Sequence, residues 1–142
     1  MAEPVTPAFV WPVRVYWEDT DAGGVVFYAN YLKYFERART EWLRAQGVSQ
    51  ERLRLDTGVL FIVADTAVRY RQPARLDDAL EVTVELRERP GRASLLLDQQ
   101  VRRGPTVLAE GRIRVGCVDA TRFAPCRLPD DLLERLLNPP HA

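Results

Sequence analysis

At 142 residues the chain has room for one domain and little more, and 46 % apolar residues are enough for a packed core. Its 20 basic and 20 acidic side chains cancel and are interspersed rather than blocked, which excludes the basic field of a nucleic-acid binder. The first dozen residues lack the basic start and apolar stretch of a secretory signal, and no apolar run nears the ~20 residues that cross a bilayer, so a cytoplasmic chain is expected.

Val13, Val15 and Trp17 alternate with Arg14 and Tyr16, a period of two that predicts a half-buried strand. Residues 1–10 before it read as a flexible tail. Glu18 to Gly24 interrupts the alternation with acids and a glycine pair. Next, Tyr31, Tyr34, Phe35, Ala38, Trp42 and Ala45 fall on one helical face, with Lys33, Glu36, Arg37 and Arg44 opposite. That spacing predicts a long amphipathic helix, with Asn30 as N-cap and Gly47 as its C-terminal stop. Ser49 to Thr57 is polar and suggests no element.

Val59 to Ala64 is continuously apolar and passes into alternating Thr66, Val68 and Tyr70 before Pro73, which predicts a long strand. A second strand follows over Leu80–Arg87, then a turn at Pro90-Gly91. A third covers Ala93–Arg102, then a turn at Gly104-Pro105, and a fourth runs from Val107 to Cys117. Pro129, Asp130 and Asp131 open a short helix to Leu137, leaving 138–142 as a tail. Every strand has one apolar side, and the Tyr31–Ala45 helix is the one element large enough to cover it. The expected fold is therefore α+β, a curved antiparallel sheet around one long central helix, occupying residues 1–142 as one domain.

The chemistry narrows by elimination. His141, the one histidine, lies in the C-terminal tail, so Ser-His-Asp and Cys-His sites have no imidazole in the folded body. Zinc motifs fail too, because Cys117 and Cys126 show no paired spacing. Cys117 falls on the apolar side of its strand and reads as a buried, inert thiol. No metal or cofactor is expected. Carboxylates, hydroxyls and backbone dipoles remain. One segment, Glu18-Asp19-Thr20-Asp21-Ala22-Gly23-Gly24, places acids and glycines just before the long helix. A helix start offers unpaired N–H groups to a developing oxyanion, and a nearby carboxylate can attack or activate water. Gly23 and Gly24 permit a tight backbone path and close approach of a ligand. The residues alone leave this catalytic role and a plain turning-and-capping role both open.

Val15 to Leu43, VYWEDTDAGGVVFYANYLKYFERARTEWL, resembles the signature of the YbgC and 4-hydroxybenzoyl-CoA thioesterase family, and YRQPARLDD from Tyr70 to Asp78 is similar to that family's second block. The resemblance covers nearly the whole chain and implies a hotdog fold that hydrolyses an acyl-CoA, short-chain aliphatic or aromatic, to free acid and CoA. It makes Asp21 the nucleophile or general base and the backbone N–H of Tyr28 the donor to the thioester oxygen, with Asp19 supporting the loop. Tyr28 departs from the histidine of YbgC-type members and is closer to the 4-hydroxybenzoyl-CoA enzyme. Gly24 joins the substrate-binding candidates. Arg87, Arg89 and Arg92, around the Pro90-Gly91 turn, match the neighbourhood where that enzyme meets the CoA phosphates, and a solvated hairpin end explains them equally well.

Arg71 and Arg75 are read as ion-pair partners of Asp77 or Asp78. Glu36 and Arg39 are read as solvated charges or as polar contacts across a subunit interface. The family implies a homodimer or homotetramer with active sites between subunits. The alternative reading is a non-catalytic acyl-CoA or acyl-carrier binding subunit, associated peripherally with an envelope assembly.

Overall fold

Aromatic residues spaced for one helical face dictate the centre of the molecule. The computed structural model, which describes residues 8–88 and 91–138, places α1 at Asn30–Ala45, with Tyr31, Tyr34, Phe35, Ala38, Trp42 and Leu43 buried. Fully burying one such side chain contributes about 1.5–3 kcal/mol. The helix stops as expected at Gly47, whose φ of +79° suits a residue without Cβ. Its N–H donates to the Arg44 carbonyl and that of Val48 to the Leu43 carbonyl, both at 2.9 Å, which closes the last turn. The start differs from expectation. Asn30 is the first helical residue rather than the cap, and its amide turns inward to Asp19 Oδ1 at 2.8 Å.

Five strands form one sheet: β1 (Phe9–Arg14), β2 (Val59–Tyr70), β3 (Ala79–Leu86), β4 (Ser94–Arg103) and β5 (Thr106–Asp119). Their spatial order is β1-β3-β4-β5-β2, with every neighbouring pair antiparallel. The α+β hotdog expectation holds. Period-two alternation turns Leu80, Val82, Val84, Leu95, Leu97, Val101, Ile113 and Val115 inward, where they are buried with the α1 stripe. At Gly111 the helix comes so close that a Cβ would lie 2.8 Å from Phe35 Cε2. Buried Gln99 ties sheet to helix beside it, donating to the Phe35 carbonyl at 3.1 Å and accepting from Arg39 at 3.0 Å. Along β2 the pairing with β5 slips by one residue between Val63 and Asp65.

The first strand corrects the sequence reading. It runs Phe9–Arg14 rather than Val13–Trp17, so Phe9 and Val10 belong to the sheet and not to a tail, while Trp17–Asp19 form a single 3₁₀ turn. Pro12 cannot donate to a ladder, but β1 is an edge strand and tolerates it. The remainder of the expected N-terminal tail, residues 1–7, lies outside the described residues, as do 139–142. A second helix, α2 (Gln50–Thr57), was not expected because it buries no residue. Ser49 Oγ caps it, accepting from Arg52 N at 3.4 Å, and Glu51–Arg54 and Arg52–Asp56 pair along it at 2.6 and 3.2 Å. Helix α3 (Asp130–Leu137) follows expectation, with Leu132 and Leu136 inward and two aspartates at its positive end. Cys117 is buried as read. Burial, with the Cys126 sulfur 3.5 Å away, pushes its thiol up to about 12.

Candidate active site

The acidic loop folds as a tight hairpin. Thr20 bridges Val26, Asp21 N–H donates to the Val25 carbonyl at 2.9 Å, and Gly24 N–H returns to the Asp21 carbonyl at 3.1 Å. Gly24 makes the reversal at φ +80° with nothing within 4 Å of a Cβ position, so backbone conformation rather than space demands glycine there. The Asp21 side chain starts the turn, its Oδ1 accepting from Gly23 N at 2.8 Å, as an Asx turn does. Oδ2 has no donor among the described residues, and the residue is exposed. One oxygen therefore holds the loop.

Asp19 does the opposite work. It is 3 % exposed. Its Oδ2 accepts from Tyr16 N and its Oδ1 from Asn30 Nδ2, both at 2.8 Å, and its carbonyl accepts from Phe27 N at 2.9 Å. The loop is thereby stitched to the first residue of α1. The Tyr34 hydroxyl lies beneath this carboxylate, and burial, reinforced by Asp19, raises its pKa far above the ordinary phenol value.

Tyr28 stands two residues before α1 and is 64 % exposed. Its N–H, like that of Ala29, has no acceptor among the described residues. Both sit at the positive end of the helix dipole. The Tyr28 carbonyl accepts from the Tyr70 hydroxyl at 3.0 Å, and the two rings meet edge-on. Tyr16, Trp17, Phe27, Tyr28 and Tyr70 are all exposed here. Sequence reasoning missed Trp17, Phe27 and Tyr70, because exposure of an aromatic leaves no mark in the chain order.

The arginines divide. Arg87 pairs with Asp98, which also takes Arg112 at 3.2 Å, so Arg87 is engaged on the outer sheet face. Arg92 is exposed, and its carbonyl pins Leu128 N at 2.8 Å. Arg89 lies outside the described residues. Arg71 pairs with Glu110 at 3.1 Å, and Asp78 pairs with Arg103 at 2.8 Å, whereas Arg75 meets Asp78 through its backbone N–H; the expected pairings of Arg71 and Arg75 are corrected accordingly. Burial raises the Asp78 pKa, but the Arg75 N–H and the Arg103 guanidinium outweigh it and leave the group below the usual carboxylate value. Glu36 and Arg39 line a cavity of about 400 Å³ between α1 and the apolar half of β2, with Leu97 and Ile113 among its floor residues. Asp21 and Tyr28 are not among its lining residues. No cluster of metal-ligating side chains occurs among the described residues.

An antiparallel sheet packed on one long helix, with a carboxylate loop at the helix start, is the architecture that the family resemblance implied. The family model of the Thioesterase-like superfamily matches residues 15–136. The acyl-CoA thioester hydrolase YbgC of Escherichia coli O6:H1 is 44 % identical over 90 % of this chain and 95 % of its own length. The acyl-CoA thioesterase YbgC of Haemophilus influenzae is 43 % identical, over 87 % and 90 %. The crystal structure of a probable thioesterase from Bartonella henselae superposes with TM-score 0.81 at 29 % identity, covering 87 % of this chain and 100 % of the other. The chain belongs to the YbgC family of thioesterases.

Proposed function

We propose that this enzyme hydrolyses an acyl-CoA thioester to the free acid and CoA, using Asp21 as nucleophile or general base. The observation that carries the proposal is that the Asp21 Oδ2 and the Tyr28 N–H, seven positions apart in the loop before α1, both lack a hydrogen-bond partner among the described residues. The thioester oxygen would lie on the Tyr28 N–H, where the helix dipole favours developing negative charge. Asp21 would add to the carbonyl carbon directly, expelling CoA as a thiolate that takes a proton from solvent and leaving a mixed anhydride that water then hydrolyses to the free acid and the Asp21 carboxylate; or it would take a proton from a water that adds and pass that proton to the CoA thiolate as the C–S bond breaks. Gly24 keeps side-chain atoms out of the approach path. Arg92 and Arg89 are the arginines we assign to the CoA phosphates, with Arg87 held by Asp98. The acyl group is short aliphatic or aromatic, and the exposed rings of Phe27 and Tyr70 packed against Tyr28 suit the aromatic class.

The site opens to the surface, and among the described residues no strand pairs with the outer edge of β2, on which Ile62 and Val63 are 41 % and 50 % exposed. Such an edge invites another strand, which supports a homodimer or homotetramer enclosing the sites. No described helix is long and apolar enough to cross a membrane, and we place the enzyme in the cytoplasm, where CoA thioesters are made and used. The test is thiol release across aliphatic and aromatic acyl-CoAs for the parent and Asp21→Asn. Loss of about 10²–10⁴-fold in kcat with the fold intact supports the proposal, and undiminished turnover refutes it. If the parent binds acyl-CoA but never turns it over, the chain is instead a binding subunit.

A further inference from the structure

The peptide that follows Tyr28 is held by a side chain far away in sequence. Tyr70, the last residue of β2, donates its hydroxyl to the Tyr28 carbonyl at 3.0 Å. That carbonyl has no other donor among the described residues: Asn30 N donates to the Phe27 carbonyl at 2.8 Å and Leu32 N to the Ala29 carbonyl at 3.2 Å. A peptide is planar and trans, so its N–H points opposite to its C=O. Fixing the Tyr28 carbonyl on Tyr70 therefore aims the Ala29 N–H the other way, and it sets the Tyr28 ψ angle and with it the attitude of the neighbouring Tyr28 N–H. The same bond draws electron density toward the carbonyl oxygen and makes the Ala29 N–H a better donor.

The Tyr70 ring is itself immobilised. It packs edge-on to Tyr28 at 6.4 Å and to buried Tyr31 at 5.4 Å. Tyr31 is tied in turn to the segment after β2, its hydroxyl accepting from Ala74 N at 3.1 Å, and Ala74 returns its carbonyl to Val26 N at 2.8 Å. Of these three links between the end of β2 and the helix start, the Tyr70 bond alone falls on a peptide with an unpartnered donor. Partial burial, with the Tyr28 and Tyr31 phenols nearby, holds the Tyr70 pKa above its ordinary value, so the hydroxyl remains a donor at neutral pH.

We propose that Tyr70 is a positioning residue for the thioester carbonyl: its hydroxyl orients the Tyr28–Ala29 peptide so that two main-chain N–H groups, those of Tyr28 and Ala29, grip the oxygen as it becomes negative. This rests on the reading of Tyr28 given above and extends it to a second donor and to the residue that aims both.

The test is Tyr70→Phe, which keeps the ring and deletes the hydroxyl. Its kcat should fall about tenfold, with KM changed less than about twofold, because both donors remain but lose their alignment. Two unreactive ligands separate carbonyl grip from pocket shape: a ketone analogue with a methylene in place of the thioester sulfur, and a thioether analogue with no carbonyl. Tyr70→Phe should weaken the ketone by about tenfold relative to the thioether. That ratio is independent of the folded fraction, so it reads the grip even in a destabilised variant. Turnover within about twofold of the parent, or equal weakening of both ligands, overturns the proposal. An inactive Asp21→Asn beside a fully active Tyr70→Phe sinks this inference alone. A fully active Asp21→Asn sinks the role of Asp21, while the ligand ratio still decides the role of Tyr70.

Discussion

Gly111→Ala adds a single methyl group at the point where the helix comes closest to the sheet, and its cost can be worked from the contacts. The new Cβ would stand 2.8 Å and 3.0 Å from Phe35 Cε2 and Cζ, and 3.1 Å from Ile113 Cδ1. Carbon atoms rest at about 3.5–4.0 Å, so some 0.7 Å of overlap must be relieved. Phe35 is 0 % exposed and would have to move against packed neighbours, whereas Ile113 borders the cavity of about 400 Å³ and can give way. Overpacking of this kind costs about 1–3 kcal/mol, while replacing a strand glycine returns about 0.5 kcal/mol of chain entropy. The expected net loss is about 1.5 kcal/mol, or roughly 5 °C in Tm for a chain of this size. Gly116 lies in the same strand, and a Cβ there would meet nothing nearer than the Ile62 carbonyl at 3.8 Å. Gly116→Ala should therefore be neutral or stabilising by about 0.5 kcal/mol. Urea unfolding at one fixed protein concentration measures both. On a Phe35→Leu background the Gly111→Ala penalty should shrink. A Gly111→Ala variant as stable as the parent would refute the claim that helix and sheet are in hard contact there.

Asp19→Ala removes the acceptor of two inward-facing donors, Tyr16 N and Asn30 Nδ2, and should cost about 3 kcal/mol in urea unfolding; a loss below about 1 kcal/mol would mean that water replaces the carboxylate without penalty. The Asp78–Arg103 pair should show itself through pH. The Asp78 pKa is depressed in the folded chain, so its contribution is present above the unfolded aspartate value and is lost as pH falls through the folded one. Arg103→Gln should destabilise by about 0.5–1 kcal/mol at neutral pH, and the gap should close as pH drops below about 4. A gap that persists unchanged at low pH would assign the loss to packing.

What the chain order revealed depended on how far apart the cooperating residues lie. The α1 stripe and the β2–β5 strands were readable because burial imposes a short period on each. Strand β1 was misplaced because Pro12 reads as an interruption, although an edge position accommodates it. Helix α2 was invisible because it has a cap and charge pairs but no buried stripe. In the site, the acidic loop stood out since it adjoins the helix start in sequence, while Asp21 and Tyr28 were singled out by the family resemblance. The Tyr70 contact spans 42 positions, and nothing local announces it. The Arg87–Asp98 ion pair could not be foreseen either, because it joins neighbouring strands.

The one-residue slip in β2 has a consequence for that distant contact. Val63 opposes inward-facing Val115, and beyond the slip Thr66 opposes inward-facing Ile113 and Tyr70 opposes buried Ala109. Odd-numbered positions face the helix before Ala64 and even-numbered ones after it. A strictly alternating strand would have carried the phenol of Tyr70 to the outer side of the sheet. The unpaired alanine thus inverts the parity of the strand, and by doing so it delivers a hydroxyl to the mouth of the helix.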